Sequence, residues 1–220
     1  MKKITLVMCL LFIAFVNAQD DGKAASDKLT FEKNTQFVNL NFSVNSAESD
    51  FERQNQNQLD TGETKAFGFS ISASYAYAIN NNLFLGLGVG YGSNKREVTA
   101  TNQNDNDSES KSYQVFPYVR YYKGIGKKIA LFIQGEARFS HFENEFNALN
   151  EGESDNFFVG IRPGITFMLN KNFALETSFG ALGYTHTKLD NGQFNTEVTT
   201  NSFDLSLNSS NLFFGLNYYF

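Results

Sequence analysis

Apolar residues alternate with small or polar ones along most of the chain, and the alternation is longest between Phe67 and Tyr91. Phe67, Phe69, Ile71, Ala73, Tyr75 and Tyr77 share one parity, with Gly68, Ser70, Ser72, Ser74 and Ala76 on the other. After Asn80, Asn81 and Asn82, the residues Leu83, Leu85, Leu87, Val89 and Tyr91 oppose Gly86, Gly88, Gly90 and Gly92. Period two at this length predicts two strands, each with one apolar face, joined by an Asn-rich hairpin turn. The second face is small and polar throughout. That suits a lumen crowded by neighbours better than open water, so the stretch reads as a hairpin of a membrane β-barrel.

The same pattern recurs on both sides. Val38, Leu40, Phe42 and Val44 alternate with Asn39, Asn41, Ser43 and Asn45. Tyr113, Val115, Pro117, Val119 and Tyr121 define a fourth strand, Ile129 to Phe139 a fifth and Phe157 to Phe167 a sixth. In the seventh, Phe173, Leu175, Thr177 and Phe179 are expected to face out, and Glu176, Ser178, Gly180 and Tyr184 to face in. The eighth runs from Phe203 to Phe220, with a parity slip that predicts a bulge near Asn208 to Asn211. Polar connections at Ser46–Lys65, Lys95–Lys111, Glu143–Asp155 and Thr185–Thr200 alternate with short turns. The predicted fold is all-β: an eight-stranded antiparallel up-and-down transmembrane β-barrel with long extracellular loops and short periplasmic turns. The acidic loops are expected outside, and the turns with Lys123, Lys127, Lys128 and Lys171 in the periplasm. Pro117 and Pro163 stand inside strands of a barrel that has no edge, so bulges are expected there.

Charge adds an independent check. Arg120, Glu136, Arg138, Arg162, Glu176 and Asp204 are the charged residues within the predicted strands, and all fall on the inward parity. An Arg facing lipid at mid-membrane would cost about 2–4 kcal/mol. Arg120, Glu136, Arg138, Arg162 and Glu176 are therefore expected to form a lumen charge network, with Glu136 and Arg162 as neighbouring partners. Eight strands enclose just enough room for side chains, so a salt-bridged plug is favoured over an ion path. Phe116, Tyr118, Phe132, Phe158 and Tyr184 are available to fill the space left by small residues.

Composition then sets the compartment. Lys2 and Lys3 precede an apolar run from Ile4 to Val16 that ends in Val16-Asn17-Ala18, so residues 1–18 read as a secretory signal peptide. Residues 19–33 read as a flexible periplasmic lead and 34–220 as the barrel domain. The single cysteine, Cys9, falls inside the signal, which leaves no thiol for disulfides or metal. Removing two lysines and no acid takes the net charge from −5 to −7, a balance that argues against nucleic acid. No cofactor or metal is expected. Asp105, Asp107 and Glu109 have the spacing of early calcium-loop ligands, but Ser110 replaces the turn Gly and Phe116 the closing Glu. Ser140, His141 and Glu143 are neighbours at a rim, yet adjacent strand residues point to opposite faces, so no enzyme is expected.

The signal peptide, the alternation of long and short connections, and the terminal Leu216-Asn217-Tyr218-Tyr219-Phe220 together resemble the small Gram-negative outer-membrane barrels typified by the OmpA transmembrane domain and OmpX. The resemblance covers about Gln36 to Phe220. It implies that Leu216, Tyr218 and Phe220 form a C-terminal assembly signal. It also implies periplasmic chaperones, the outer-membrane assembly machinery, and outer-membrane lipid and lipopolysaccharide as partners. Barrel enzymes that modify lipid A carry His-x-Ser, whereas His141 is followed by Phe142 and Glu143. With no soluble domain after the barrel, peptidoglycan anchoring is not implied. The fold does not fix one activity. The expected role is structural or surface-interactive, with a side-chain-filled lumen and any surface ligand held by the loops. A narrow porin-like passage for ions or small solutes is the alternative, and a lipid-modifying enzyme the third reading.

Overall fold

The computed structural model describes residues 28–55, 58–100, 106–146, 150–191, 196–206 and 212–220. It contains ten strand segments: β1 (Gln36–Asn55), β2 (Gln58–Asn80), β3 (Leu83–Ala100), β4 (Asn106–Gly124), β5 (Ile129–Phe146), β6 (Asn150–Met168), β7 (Phe173–Phe179), β8 (Ala181–Asn191), β9 (Thr196–Ser206) and β10 (Leu212–Tyr219). β7 with β8, and β9 with β10, each make one crossing, so the segments form a closed eight-stranded antiparallel barrel. β1 closes on β10 over the rungs Phe37↔Tyr219 to Phe42↔Phe214. Beyond Phe42 the ladders described join β1 to β2 and β9 to β8.

The apolar parity points away from the lumen. Phe42, Leu87 and Val89 are each more than half exposed, while Phe84, Tyr122, Asn39 and Asn217 inside are fully buried. Such an inside-out sheet is stable where the surrounding solvent is hydrocarbon and every backbone group is paired in a closed ladder. About nine residues of β4, from Tyr113 to Tyr121, carry the outward apolar band, close to the roughly 9–11 that a tilted strand needs to span. Aromatic rings mark its ends. Phe69, Tyr91 and Tyr113 follow one another at 6.0 and 5.5 Å on one border, and Phe173, Tyr218 and Phe220 at 5.0 and 5.8 Å on the other.

The long connections differ in conformation from irregular loops. Gln-Asn-rich Ser46–Lys65 is a continuation of β1 and β2, paired rung by rung to Asn55↔Gln58. β3 and β4 extend to Val98↔Asn106, and β5 and β6 to Phe146↔Asn150. Polar residues on both faces leave no hydrophobic alternation to read, but the backbone ladder needs none. Outward charges begin where the apolar band stops: Lys65, Lys95, Lys111 and Asp155 each follow the last outward aromatic of their strand.

The two prolines behave differently from expectation. At Pro117 no bulge forms: the rungs of Phe116 and Pro117 are skipped on the β5 side, but Val115↔Phe139 and Tyr118↔Glu136 keep one register. Pro163 pairs with Ile133 in register, and the irregularity lies in the next strand instead. There β6 passes from Gly164↔Ser178 on β7 to Ile161↔Leu182 on β8, one residue out of step, and Gly180 between them has φ 75°. The extra residue at a positive φ is a glycine bulge. It also reverses parity, so Gly180 and Tyr184 do not continue the inward series; Tyr184 lies on the outer face, 44% exposed, and takes no part in filling the lumen. The break expected near Asn208–Asn211, the signal at 1–18 and the lead at 19–27 lie outside the described residues.

Lys28 to Lys33, expected in the flexible lead, is held against one end of the barrel. Leu29 N donates to Gly126 O at 2.8 Å, Phe31 N to Asn82 Oδ1 at 2.8 Å, and Asn82 N to Phe31 O at 2.9 Å. Phe31, 5% exposed, stacks on Tyr219 at 4.9 Å and meets Tyr122 at 4.7 Å. Gly124 permits this approach, since a Cβ there would stand 2.1 Å from Leu29 O. The missed signal was one aromatic residue, Phe31, in a polar stretch.

Candidate functional site: the lumen network

Inward glycines and inward rings are complementary. Tyr118 lies against Gly86, Phe116 against Gly88, Phe132 against Gly164, and Phe158 against Gly160 and Gly183; a Cβ at any of these glycines would come within 2.1–2.4 Å of the ring. Large residues of one strand thus occupy the space vacated by small residues of the next. Four of the five aromatics expected to fill the lumen do so; Tyr184 is the exception.

Among these rings runs a continuous polar chain. Arg120 Nη1 donates to Glu176 Oε2 at 2.8 Å and to Tyr122 OH at 2.9 Å, and its Nε and Nη2 reach Gln134 Oε1 at 2.8 and 2.6 Å. Its guanidinium also lies 4.3 Å from the Phe132 ring centre. Glu176 further accepts from Asn39 at 3.1 Å and Asn217 at 2.5 Å. Asn39 also donates to Asn217 at 2.6 Å and accepts from Asn41 in turn. Gln134 Nε2 donates to Glu136 Oε2 at 2.7 Å. Glu136 Oε1 accepts from both Arg138 Nε at 3.0 Å and Arg162 Nε at 2.8 Å. Arg138 Nη1 is held by Gln114 Oε1 at 2.6 Å, with its guanidinium 4.1 Å from the Phe116 ring centre.

All five residues of the expected charge network are therefore in one connected assembly, and Glu136 and Arg162 touch directly. Asp204 shares the lumen parity opposite Gly183 but is exposed and stands outside the chain of bonds. The uncharged links Gln114, Gln134, Asn39, Asn217 and Tyr122 were not singled out in the sequence. Their signal was inward parity at matching heights. Burying ions is tolerable here because each carboxylate oxygen and most of the guanidinium edges find a partner.

The rim residues Ser140 and His141 lie on opposite faces of β5. Ser140 is buried in the lumen, whereas His141 lies on the outer face with Nδ1 2.8 Å from Asp155 Oδ1. That hydrogen bond raises the His141 pKa above the ordinary imidazole value. His186 Nδ1 lies 2.8 Å from Asn201 Oδ1. Leu216, Tyr218 and Phe220 point outward along the final strand. Among the described residues there is no group of three or more His, Cys, Asp or Glu able to hold a metal.

A closed antiparallel barrel with an apolar belt and a polar, packed interior defines an outer-membrane β-barrel protein. Residues 42–211 match the model of the Autotransporter beta-domain, and the chain belongs to that family. No curated protein matches it. Among solved structures, the outer membrane protein OprG from Pseudomonas aeruginosa is similar in fold, with TM-score 0.53 and 12% identity over 86% of this chain and 97% of its own. Neisserial surface protein A (NspA) aligns at 0.44 and 16% identity over 90% and 100% of the two chains. Ail, the attachment invasion locus protein of Yersinia pestis, aligns at 0.36 and 14% over 86% and 99%.

Proposed function

We propose that the protein is a non-catalytic, non-conducting barrel that carries a tall, charged hairpin wall on the cell surface and acts there in envelope structure or surface interaction. The observation that supports this reading is the lumen, where ring-on-glycine packing and the Arg120–Glu176 and Arg162–Glu136–Arg138 bridges fill the cross-section. What the barrel offers is then its outside: the extended hairpins of β1–β2, β3–β4, β5–β6 and β8–β9, with their acids and scattered lysines.

On this reading residues 1–18 direct export and both ends of the barrel face the periplasm. Chaperones and the assembly machinery receive the chain through Leu216, Tyr218 and Phe220, and the outer aromatic border meets lipopolysaccharide. The test is to shorten the four hairpins to the level of the aromatic border while keeping the barrel. Heat-modifiable gel mobility should persist, and surface binding or detergent resistance should fall. Unchanged phenotypes in a strain carrying all four truncations would remove the proposed role.

A further inference from the structure

We infer that the outward end of the lumen network is a binding site for the carboxylate or phosphate end of a small solute, held by Arg138 and Arg162. The geometry is an imbalance at one atom. Glu136 Oε1 accepts from Nε of both arginines, at 3.0 and 2.8 Å, so one carboxylate faces two guanidiniums. Its other oxygen is occupied by Gln134 at 2.7 Å. Arg120, deeper in the lumen, has its own carboxylate in Glu176 and is satisfied on Nε, Nη1 and Nη2. Arg138 keeps one terminal nitrogen, and Arg162 both, without a hydrogen bond among the described residues.

Both arginines keep partial exposure while their carboxylate has none. The Glu136 side chain is 0% exposed, whereas those of Arg138 and Arg162 are 21% and 20% exposed. Phe116 lies level with Arg138 and Phe158 on the hairpin side of Arg162, with ring centres 4.1 and 5.3 Å from the guanidinium carbons. Toward the hairpin end the lumen positions of β2, β3 and β4 are small, Ser70, Ser72, Gly90, Gly92 and Ser112, and those of β5 and β6 are Ser140, Phe142 and Asn156. Asp204, the nearest acid on the lumen parity of β9, makes no ion pair with either arginine among the described residues.

A guanidinium presents paired N–H donors matched to carboxylate and phosphate oxygens. An oxyanion placed here would supply the missing negative charge and meet donors already fixed on their far side by Glu136, Gln114 and the rings. Low-dielectric walls strengthen that attraction relative to bulk water. The two arginines lie on the lumen face of β5 and β6 and not on the lipid-facing one, so the occupant is a free solute and not a membrane lipid.

The inference predicts effects of opposite sign. Inorganic phosphate is titrated into the refolded chain in maltoside micelles, with binding read by calorimetry and by side-chain Nε shifts of the arginines in NMR. Arg162→Gln should weaken binding about tenfold, and Glu136→Gln, which removes the competing carboxylate, should tighten it about tenfold. Should Glu136→Gln fail to give a heat-modifiable barrel, the Nε shifts of Arg138 and Arg162 in the unsubstituted protein decide. They should move on phosphate addition while Arg120 stays still. Phosphate binding that is absent, insensitive to Arg162→Gln, or visible only with a phosphate-bearing lipid in the micelle would overturn the site.

Discussion

Pro163 of β6 and Gly180 between β7 and β8 stand at one break in the barrel wall. β6 changes partner strand beside Pro163, and Gly180 supplies the extra residue at φ 75° that makes the change possible. Only glycine adopts that conformation without a steric penalty of about 1–2 kcal/mol. Gly180→Val should lower the urea midpoint of the refolded barrel without changing its m-value. Gly180→Ala should show a smaller loss in the same direction. An unchanged midpoint for both would mean that the bulge relaxes freely.

Gly88 and Phe116 test the ring-on-glycine packing of the lumen. A Cβ at Gly88 would lie 2.3 Å from Phe116 Cζ, so the ring cannot stay where it is if the glycine is replaced. Gly88→Val should cost about 1–3 kcal/mol through overpacking. Phe116→Ala opens the space that valine needs, so the double substitution should cost less than the sum of the two singles. Additive losses in equilibrium unfolding would show that the two residues do not share that space.

Arg120 and Glu176 form the deepest ion pair, at 2.8 Å with both side chains almost fully buried. Glu176→Ala leaves the guanidinium with Gln134 and Tyr122 but no counter-charge, and should cost about 3–5 kcal/mol. Replacing both by apolar residues of similar volume, as in Arg120→Met with Glu176→Leu, should recover much of that loss. If the double variant were no more stable than Glu176→Ala, the cost would reside in the Asn39 and Asn217 bonds rather than in the charge.

The strands, their parity and the charged lumen were legible because lipid and lumen impose opposite chemistry on alternate residues. That contrast exists only within the membrane. Above it both faces are wet, so the outer halves of β1 to β6 carry no alternation and read as loops, although their backbones remain paired. Tyr184 was misplaced because a single inserted residue, Gly180, reverses every later position in its strand. Pro163 gave the right neighbourhood for the irregularity but not the strand, since a missing N–H is felt by the partner as much as by the proline's own chain. Phe31 gave no periodic signal at all; its burial depends on the shape of the barrel end formed by Phe84, Tyr122 and Tyr219.

His141 and Asp155 predict a pH dependence at the hairpin-side border of the apolar belt. The hydrogen bond to Asp155 raises the folded-state pKa of His141, so its stabilising contribution is fully present below the unfolded value and is lost as pH rises through the folded value. Imidazole NMR shifts should titrate above the ordinary histidine range of about 6.5. In Asp155→Asn the titration should fall back toward it. A histidine that titrates identically in both proteins would show that the 2.8 Å contact does not persist in solution.

The closed lumen is tested most directly by planar-bilayer conductance of residues 19–220, refolded and first verified as a heat-modifiable barrel. Filling by the rings of Phe116, Tyr118, Phe132 and Phe158 together with the arginine bridges predicts a silent membrane. Discrete, reproducible current steps that change size in Arg120→Ala or Arg162→Ala would contradict it and make the protein a pore.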